Sequence, residues 1–146
     1  MGYIHRDLKP ENIMINLDPL EVRVIDFNRV SLTTTNTDAH VRGTPGYFPE
    51  RDNWKDGDPK WDLWAIGAII LEADMILNGY YHCKTELDAY AFATRHIKEV
   101  KTCKHVVRII RKTLMTQRGE SLMGWEEMVK ELKEAQFKRQ GHDKVD

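Results

Sequence analysis

Two short apolar runs near the start of the chain, Ile13-Met14-Ile15 and Val22-Arg23-Val24-Ile25, are of strand type. Asn16-Leu17-Asp18-Pro19 between them carries turn chemistry, so the pattern predicts a β-hairpin. The two ends of such a hairpin bring the neighbourhood of Asn12 close to Asp26. Further on, Asp58 and Pro59 suit the start of a helix, because an aspartate side chain caps free amides and proline fits the first helical position. The segment from there to Leu77 is apolar on nearly every face, which predicts a central, buried helix over about 59–77. Asn78-Gly79 ends it by allowing a left-handed residue. Gly67 inside the helix costs helix propensity, and its presence predicts that another element packs closely there.

The remaining pattern is helical. Thr85 to about Val100 reads as one helix, with Thr85 and Asp88 spaced as a capping box, and His105 to Met115 as another. Trp125, Met128, Val129 and Leu132 recur at helical spacing, with Glu126/Lys130 and Glu134/Lys138 as (i, i+4) pairs. They predict an amphipathic surface helix, followed from Lys138 by a polar, frayed tail over 138–146. The expected fold class is mainly α with a small β-hairpin region. Residues 31 to 38, Thr-rich and without helical periodicity, read as a loop.

Composition narrows the classes. The 146 residues suffice for one domain with a core, and 41% hydrophobic with 31% charged residues is ordinary for a globular protein. A net charge of -1 gives no basic footprint, so no nucleic-acid partner is expected. The longest apolar run, Leu63 to Leu71, is too short to span a bilayer, and His5, Arg6 and Asp7 near the N-terminus do not fit a signal peptide. No membrane partner is expected either. Cys83 and Cys103 lack CxxC spacing and read as free thiols. A cytoplasmic location is the expectation, with the nucleus open.

Chemistry concentrates in four stretches: His5-Arg6-Asp7-Leu8-Lys9-Pro10-Glu11-Asn12, Asp26-Phe27-Asn28, Gly43-Thr44-Pro45-Gly46-Tyr47-Phe48-Pro49-Glu50 and Asp62-Leu63-Trp64-Ala65-Ile66-Gly67. Asp7 is a carboxylate able to orient a hydroxyl and accept its proton. Lys9, two residues on, can reach a transferred phosphate. Asn12 and Asp26 offer oxygen ligands that suit Mg²⁺. Phosphoryl transfer needs an in-line nucleophile and counter-charge rather than covalent help. In order and spacing the four stretches resemble the catalytic loop, the Asp-Phe-Gly turn, the end of the activation segment and the central helix of the eukaryotic-type Ser/Thr protein kinase catalytic domain. The resemblance covers residues 3 to about 134 and implies the family's C-terminal lobe over 1–137. Within it, the catalytic loop is 5–12 and the activation segment 26–50.

That resemblance implies site roles. Asp7, Lys9 and Thr44 are the expected catalytic residues; Lys9, Asn12 and Asp26 would hold ATP, with Asn12 and Asp26 on Mg²⁺. Lys9 in the Leu-Lys-Pro-Glu-Asn context resembles the Ser/Thr-directed members, so a protein substrate is implied. Arg6 resembles the arginine that pairs with an activation-loop phosphate, and Thr33, Thr34, Thr35 and Thr37 are the candidate phosphorylation positions. A merely solvated Thr-rich loop is the alternative. His5, Glu50, Asp62 and Arg118 are expected to be structural. Asp62 would accept N–H bonds from the backbone around His5 and Arg6, and Arg118 would pair with Glu50.

The sequence also departs from the family pattern. Asn28 replaces a glycine and is expected to tolerate positive φ there. The Pro49-Glu50 segment is one residue shorter and lacks the preceding alanine. Everything the family places before its catalytic loop is missing from these residues: the Gly-rich loop, the strand lysine, its glutamate partner and the adenine hinge. The expectation is a truncated catalytic domain, inactive alone. The central helix would then expose an apolar strip for an N-lobe or partner chain to cover. A non-catalytic, pseudokinase-like binding module is the alternative. A small-molecule phosphotransferase is a weaker one, since it lacks the Gly43–Glu50 segment and a lysine two residues after the aspartate.

Overall fold

The computed structural model describes residues 2–32, 43–48, 60–77, 104–114 and 123–142, with side chains in the last stretch through Ala135. Strand β1 (Tyr3–Ile4) pairs antiparallel with β4 (Ser31–Leu32), placing Tyr3 opposite Leu32 and Ile4 opposite Ser31. Between them lies the hairpin of β2 (Ile13–Leu17) and β3 (Leu20–Val24), in register from Ile13 opposite Val24 to Leu17 opposite Leu20. Asp18 and Pro19 make its turn, inside the stretch where the sequence placed it. Short 3₁₀ turns over Pro10–Asn12 and Phe27–Arg29 flank the hairpin, and the Ile25 amide donates to the Asn12 carbonyl at 2.9 Å. The two ends of the hairpin are thus tied together.

Three helices form the body: α1 (Lys60–Leu77), α2 (Lys104–Leu114) and α3 (Trp125–His142). The chain is therefore mostly helical with a small antiparallel region. Helix α1 is the central element. On one side Trp64, Ala68, Leu71 and Met75 pack against Ile110 and Leu114 of α2, with Tyr47 alongside. On another side Leu63 meets Ile109, Met123 and Met128, with Ile66 and Ile70 at the margin. Trp61 stacks on Phe48 at a ring separation of 6.3 Å. Burial on several faces is what an all-round apolar helix requires.

Gly67 marks a close approach of α1 and α2. A Cβ there would overlap the Thr113 hydroxyl and lie 2.7 Å from Thr113 Cβ. The hydroxyl cannot easily turn away, because it donates to the Ile109 carbonyl at 2.8 Å inside α2.

Three sequence expectations need correction. The exposed apolar strip predicted on the central helix is confined to its end, at Ile76 and Leu77. The exposed apolar surface is instead the hairpin. Period-2 alternation puts Ile13, Ile15, Leu17, Leu20, Val22 and Val24 on one face, and Leu17 and Leu20 are 81% and 73% exposed. Helix α3 also differs from its predicted stripe. Met128 is buried, but Trp125, Val129 and Leu132 are 41–45% exposed, and Glu131 is buried in their stead. Its partners on α2, His105 and Arg108, draw that face inward. Finally, α3 runs to His142, past the point at Lys138 where the polar composition suggested a frayed tail. The helix expected at 85–100, its capping box, the Asp58-Pro59 start and the Asn78-Gly79 stop lie outside the described residues.

Replacing Gly67 by alanine tests the α1–α2 approach. Helix propensity alone would stabilise by about 1 kcal/mol. Overpacking against Thr113 costs about 1–3 kcal/mol. The expected outcome is a lower urea midpoint for Gly67→Ala, partly restored by adding Thr113→Ala. A raised midpoint in the single variant would contradict the close approach.

Candidate active site

The site grows from a loop anchored at both ends. Residues 5–7 follow β1 and precede the Pro10–Asn12 turn. Arg6 holds a positive φ of 67°, a strained region for a non-glycine residue. What holds it there is Asp62, in the first turn of α1. The Asp62 carboxylate accepts the His5 amide at 2.7 Å and the Arg6 amide at 3.0 Å. All three residues are buried. Burial raises the Asp62 carboxyl above its ordinary value, and the two amides only partly offset this. A second glycine matters at this point. A Cβ at Gly43 would lie 2.8 Å from the Arg6 carbonyl oxygen, so the 43–48 segment reaches the loop because it has no side chain there.

His5 is held from both sides. Its Nε2 lies 3.1 Å from the Ile25 carbonyl, and its Nδ1 accepts the Asp7 amide at 3.3 Å. A carbonyl can only accept and an amide can only donate, so the proton sits on Nε2. The ring packs edge-on to Phe27 at 5.3 Å. His5 thus links the loop to the turn after β3, a scaffold position.

Asp7 is the focus. Its Oδ1 accepts the Thr44 hydroxyl at 2.7 Å and the Thr44 amide at 3.0 Å. Lys9 Nζ donates to the same Thr44 hydroxyl at 3.0 Å and lies 3.6 Å from Asp7 Oδ2. Arg29 Nε lies 3.9 Å from that oxygen. Burial pushes the Asp7 carboxyl up. The Thr44 hydroxyl, the Lys9 and Arg29 charges and the Thr44 amide outweigh it and leave the group below its ordinary value. Asp7 is therefore ionised at neutral pH. One oxygen is fixed by Thr44, and the other is flanked by two cations.

Asn12 is buried and donates through Nδ2 to the Asp7 carbonyl at 2.8 Å, which leaves its oxygen as the end available to a cation. Asp26 follows β3 in the left-handed region, at φ 62° and ψ 71°, and its side chain accepts the Asn28 amide at 3.4 Å. Asn28 lies within the Phe27–Arg29 turn. The strained residues are Asp26 and Arg6, so Asn28 is not called on to adopt positive φ as the sequence reading supposed. A carboxylate and an amide oxygen held at the base of one hairpin are a donor set that suits a hard divalent cation such as Mg²⁺.

Asp7, Lys9, Asn12 and Thr44 come together, with Asp26 following the second strand at the same base of the hairpin that Asn12 precedes, and with Asp62 beneath the loop. Thr33, Thr34, Thr35, Thr37, Glu50 and Arg118 lie outside the described residues. Sequence reasoning missed Arg29, which stands three residues after Asp26 without any pattern to single it out. It also missed Tyr47, whose hydroxyl donates to Glu72 Oε2 at 2.5 Å and fastens the 43–48 segment to α1.

A carboxylate held ionised beside a lysine, with oxygen ligands nearby, is the arrangement that the four sequence stretches bring together. The protein kinase domain family model matches residues 1–135, and the chain belongs to that family. It is 36% identical to the serine/threonine-protein kinase pkn3 of Myxococcus xanthus over 109 residues, which are 67% of this chain and 19% of that protein. It is 33% identical to the serine/threonine-protein kinase STE20 of Debaryomyces hansenii over 123 residues, 77% of this chain and 11% of that protein. Against the mitogen-activated protein kinase p38a of Drosophila melanogaster it is 39% identical over 72 residues, 49% of this chain and 19% of that protein. The match thus spans a fifth or less of each relative. No helix among the described residues is long and apolar enough to cross a membrane.

Two measurements test this geometry. Asp62→Asn places an amide NH₂ against one of the two backbone donors and should cost about 1–3 kcal/mol. Amide exchange at His5 and Arg6 should accelerate with it; unchanged protection at both would contradict the tether. Thr44→Val removes a hydrogen bond that favours the Asp7 carboxylate, so the Asp7 pKa should rise in a ¹³C-carboxyl titration. In the wild type the lowered pKa gives stability that is present above the ordinary value of 3.8 and lost as pH falls through the folded value. Thr44→Val should flatten that acid dependence.

Proposed function

We propose that this chain carries the acceptor and metal side of a protein serine/threonine kinase, which transfers the γ-phosphate of ATP to Ser or Thr hydroxyls of a protein. The observation that carries the reading is the Asp7–Thr44–Lys9 arrangement. A single threonine hydroxyl donates to Asp7 and accepts from Lys9, so the base and the phosphate-directed cation are held at a fixed spacing. Asp7 Oδ2 is the oxygen left to orient the acceptor hydroxyl and take its proton. Lys9 offers charge to the phosphoryl group in transit. Asn12 and Asp26 would hold Mg²⁺ against the phosphates, and the bound Mg²⁺–ATP would supply the group transferred and part of the neutralising charge. Lys9 within Leu-Lys-Pro-Glu-Asn supports hydroxyl acceptors of Ser and Thr type.

The 146 residues contain no Gly-rich phosphate loop and no strand lysine for the α- and β-phosphates. Because this chemistry is mostly positioning, the reading includes inactivity of the isolated chain. The exposed apolar face of the hairpin favours a second reading, a non-catalytic module that docks on another polypeptide.

The expected result for the purified chain is no ATP-dependent phosphorylation of generic basic Ser/Thr substrates above an Asp7→Asn control. Robust transfer above that control would overturn the inactivity. Within a chain that also carries a nucleotide clamp, Asp7→Asn should remove turnover while leaving nucleotide affinity largely intact. Asp26→Ala should weaken Mg²⁺–ATP binding itself. Equal loss of nucleotide affinity in both variants would show that the two roles are misassigned. Full activity in both would reject the roles assigned to Asp7 and Asp26, whereas no turnover in the parent chain would favour the docking module.

A further inference from the structure

Away from the catalytic loop, the seam between α2 and α3 is polar beside the apolar contact of Ile109 and Met128. His105 at the start of α2 faces Glu131 and Glu134, one turn apart on α3. His105 Nδ1 lies 2.7 Å from Glu131 Oε2 and 3.5 Å from Glu134 Oε2. The ligand atoms of the three residues all lie within 4.8 Å of one another. We propose that His105, Glu131 and Glu134 form a divalent transition-metal site that pins α3 to α2, with Zn²⁺ as the ion its donors suit best.

Four features carry this. First, the spacing fits. Zn²⁺ bonds of about 2.0–2.1 Å to imidazole and carboxylate set tetrahedral ligand atoms about 3.3 Å apart, between the 2.7 and 3.5 Å that separate Nδ1 from the two carboxylates, all three ligand atoms lying within 4.8 Å. Second, His105 is committed to this place. Its side chain is 7% exposed, and its other ring nitrogen, Nε2, is buried without a hydrogen-bond partner. The ring's sole polar destination is the carboxylate pair. Third, Glu131 is already oriented as a ligand would be. Arg108 Nε holds its Oε1 at 3.0 Å and leaves Oε2 towards His105, while Arg108 Nη2 is itself held by Glu127 Oε1 at 2.9 Å. Fourth, charge is short. Among the described residues, Glu127 and Glu131 share Arg108, and Lys130 reaches Glu134 only at 4.0 Å on the surface. A metal ion supplies that charge between the carboxylates. It takes the Nδ1 lone pair, and the neutral ring keeps its one proton on Nε2. Glu134, 46% exposed, leaves a side of the site open for the ion to enter and for water to complete its shell.

The test uses the purified chain titrated with ZnCl₂, followed by calorimetry and thermal melting, with MgCl₂ as the hard-cation control. The expected result is a melting temperature raised by Zn²⁺, unmoved by Mg²⁺ and returned by a chelator. Affinity should fall at least tenfold in Glu134→Gln and in His105→Gln. Because His105 is buried, His105→Gln can fail to fold for unrelated reasons; Glu134→Gln, on the half-exposed ligand, then decides alone. Cys83→Ser/Cys103→Ser should keep the Zn²⁺ response. Absence of that response in the wild type would overturn the site. So would undiminished affinity in Glu134→Gln, or loss of the response with the cysteines.

Discussion

The Asp62 carboxylate holds the catalytic loop by accepting two consecutive backbone amides, and the rest of the site inherits its position from that contact. The His5 and Arg6 amides converge on one side chain only because Arg6 turns into the left-handed region, a conformation costing about 1–3 kcal/mol for a non-glycine residue. Two hydrogen bonds to a charged acceptor, each worth about 1.5–3 kcal/mol, are of the size needed to hold it. Burial works against the same carboxylate, so the tether is a balance of strain, desolvation and hydrogen bonding. Asp62 can stand there because α1 is packed on several faces. The core thus fixes the helix, the helix fixes the carboxylate, and the carboxylate fixes the loop that aims Asp7.

At Asp7 the same principle is repeated at smaller scale. Thr44 spends its amide and its hydroxyl on one oxygen of Asp7, and Lys9 reaches the hydroxyl from the other side. Gly43 lets this segment come close, and Tyr47 ties it to Glu72 on α1. One helix therefore supports both the loop that bears Asp7 and the segment that positions it.

What was legible in the sequence follows from the range over which each signal acts. The hairpin could be read from a few residues, because its apolar alternation and its Asp18-Pro19 turn are local. The central helix and its close contact at Gly67 were equally clear. A glycine in an apolar helix is costly unless a neighbour fills its place, and Thr113 does. Asp62 was foreseeable because its motif carries it. The orientation of α3 was not. Its glutamates invite pairing along the helix, whereas Glu131 and Glu127 pair across to His105 and Arg108, residues more than a dozen positions away. Those ion pairs turn a polar face inward and leave Trp125, Val129 and Leu132 outside. Asn28 was misread for a related reason. The pattern suggested which residue departs from glycine, but backbone strain falls two positions earlier, at Asp26.

The separation of Asp62 from the loop it holds has a consequence for the order in which the protein is made. His5 emerges from the ribosome 57 residues before its partner. At about 5–20 residues per second, that is an interval of several seconds. During it the loop has no acceptor for its amides, and β1 waits for β4 to be synthesised. The hairpin, with contacts local in sequence, can close in microseconds. The tethered geometry of the loop cannot exist until α1 has been translated and folded. Residues 5–7 thus leave the ribosome well before they can be set in place, and a nascent chain interrupted before α1 carries the loop sequence without the loop's shape.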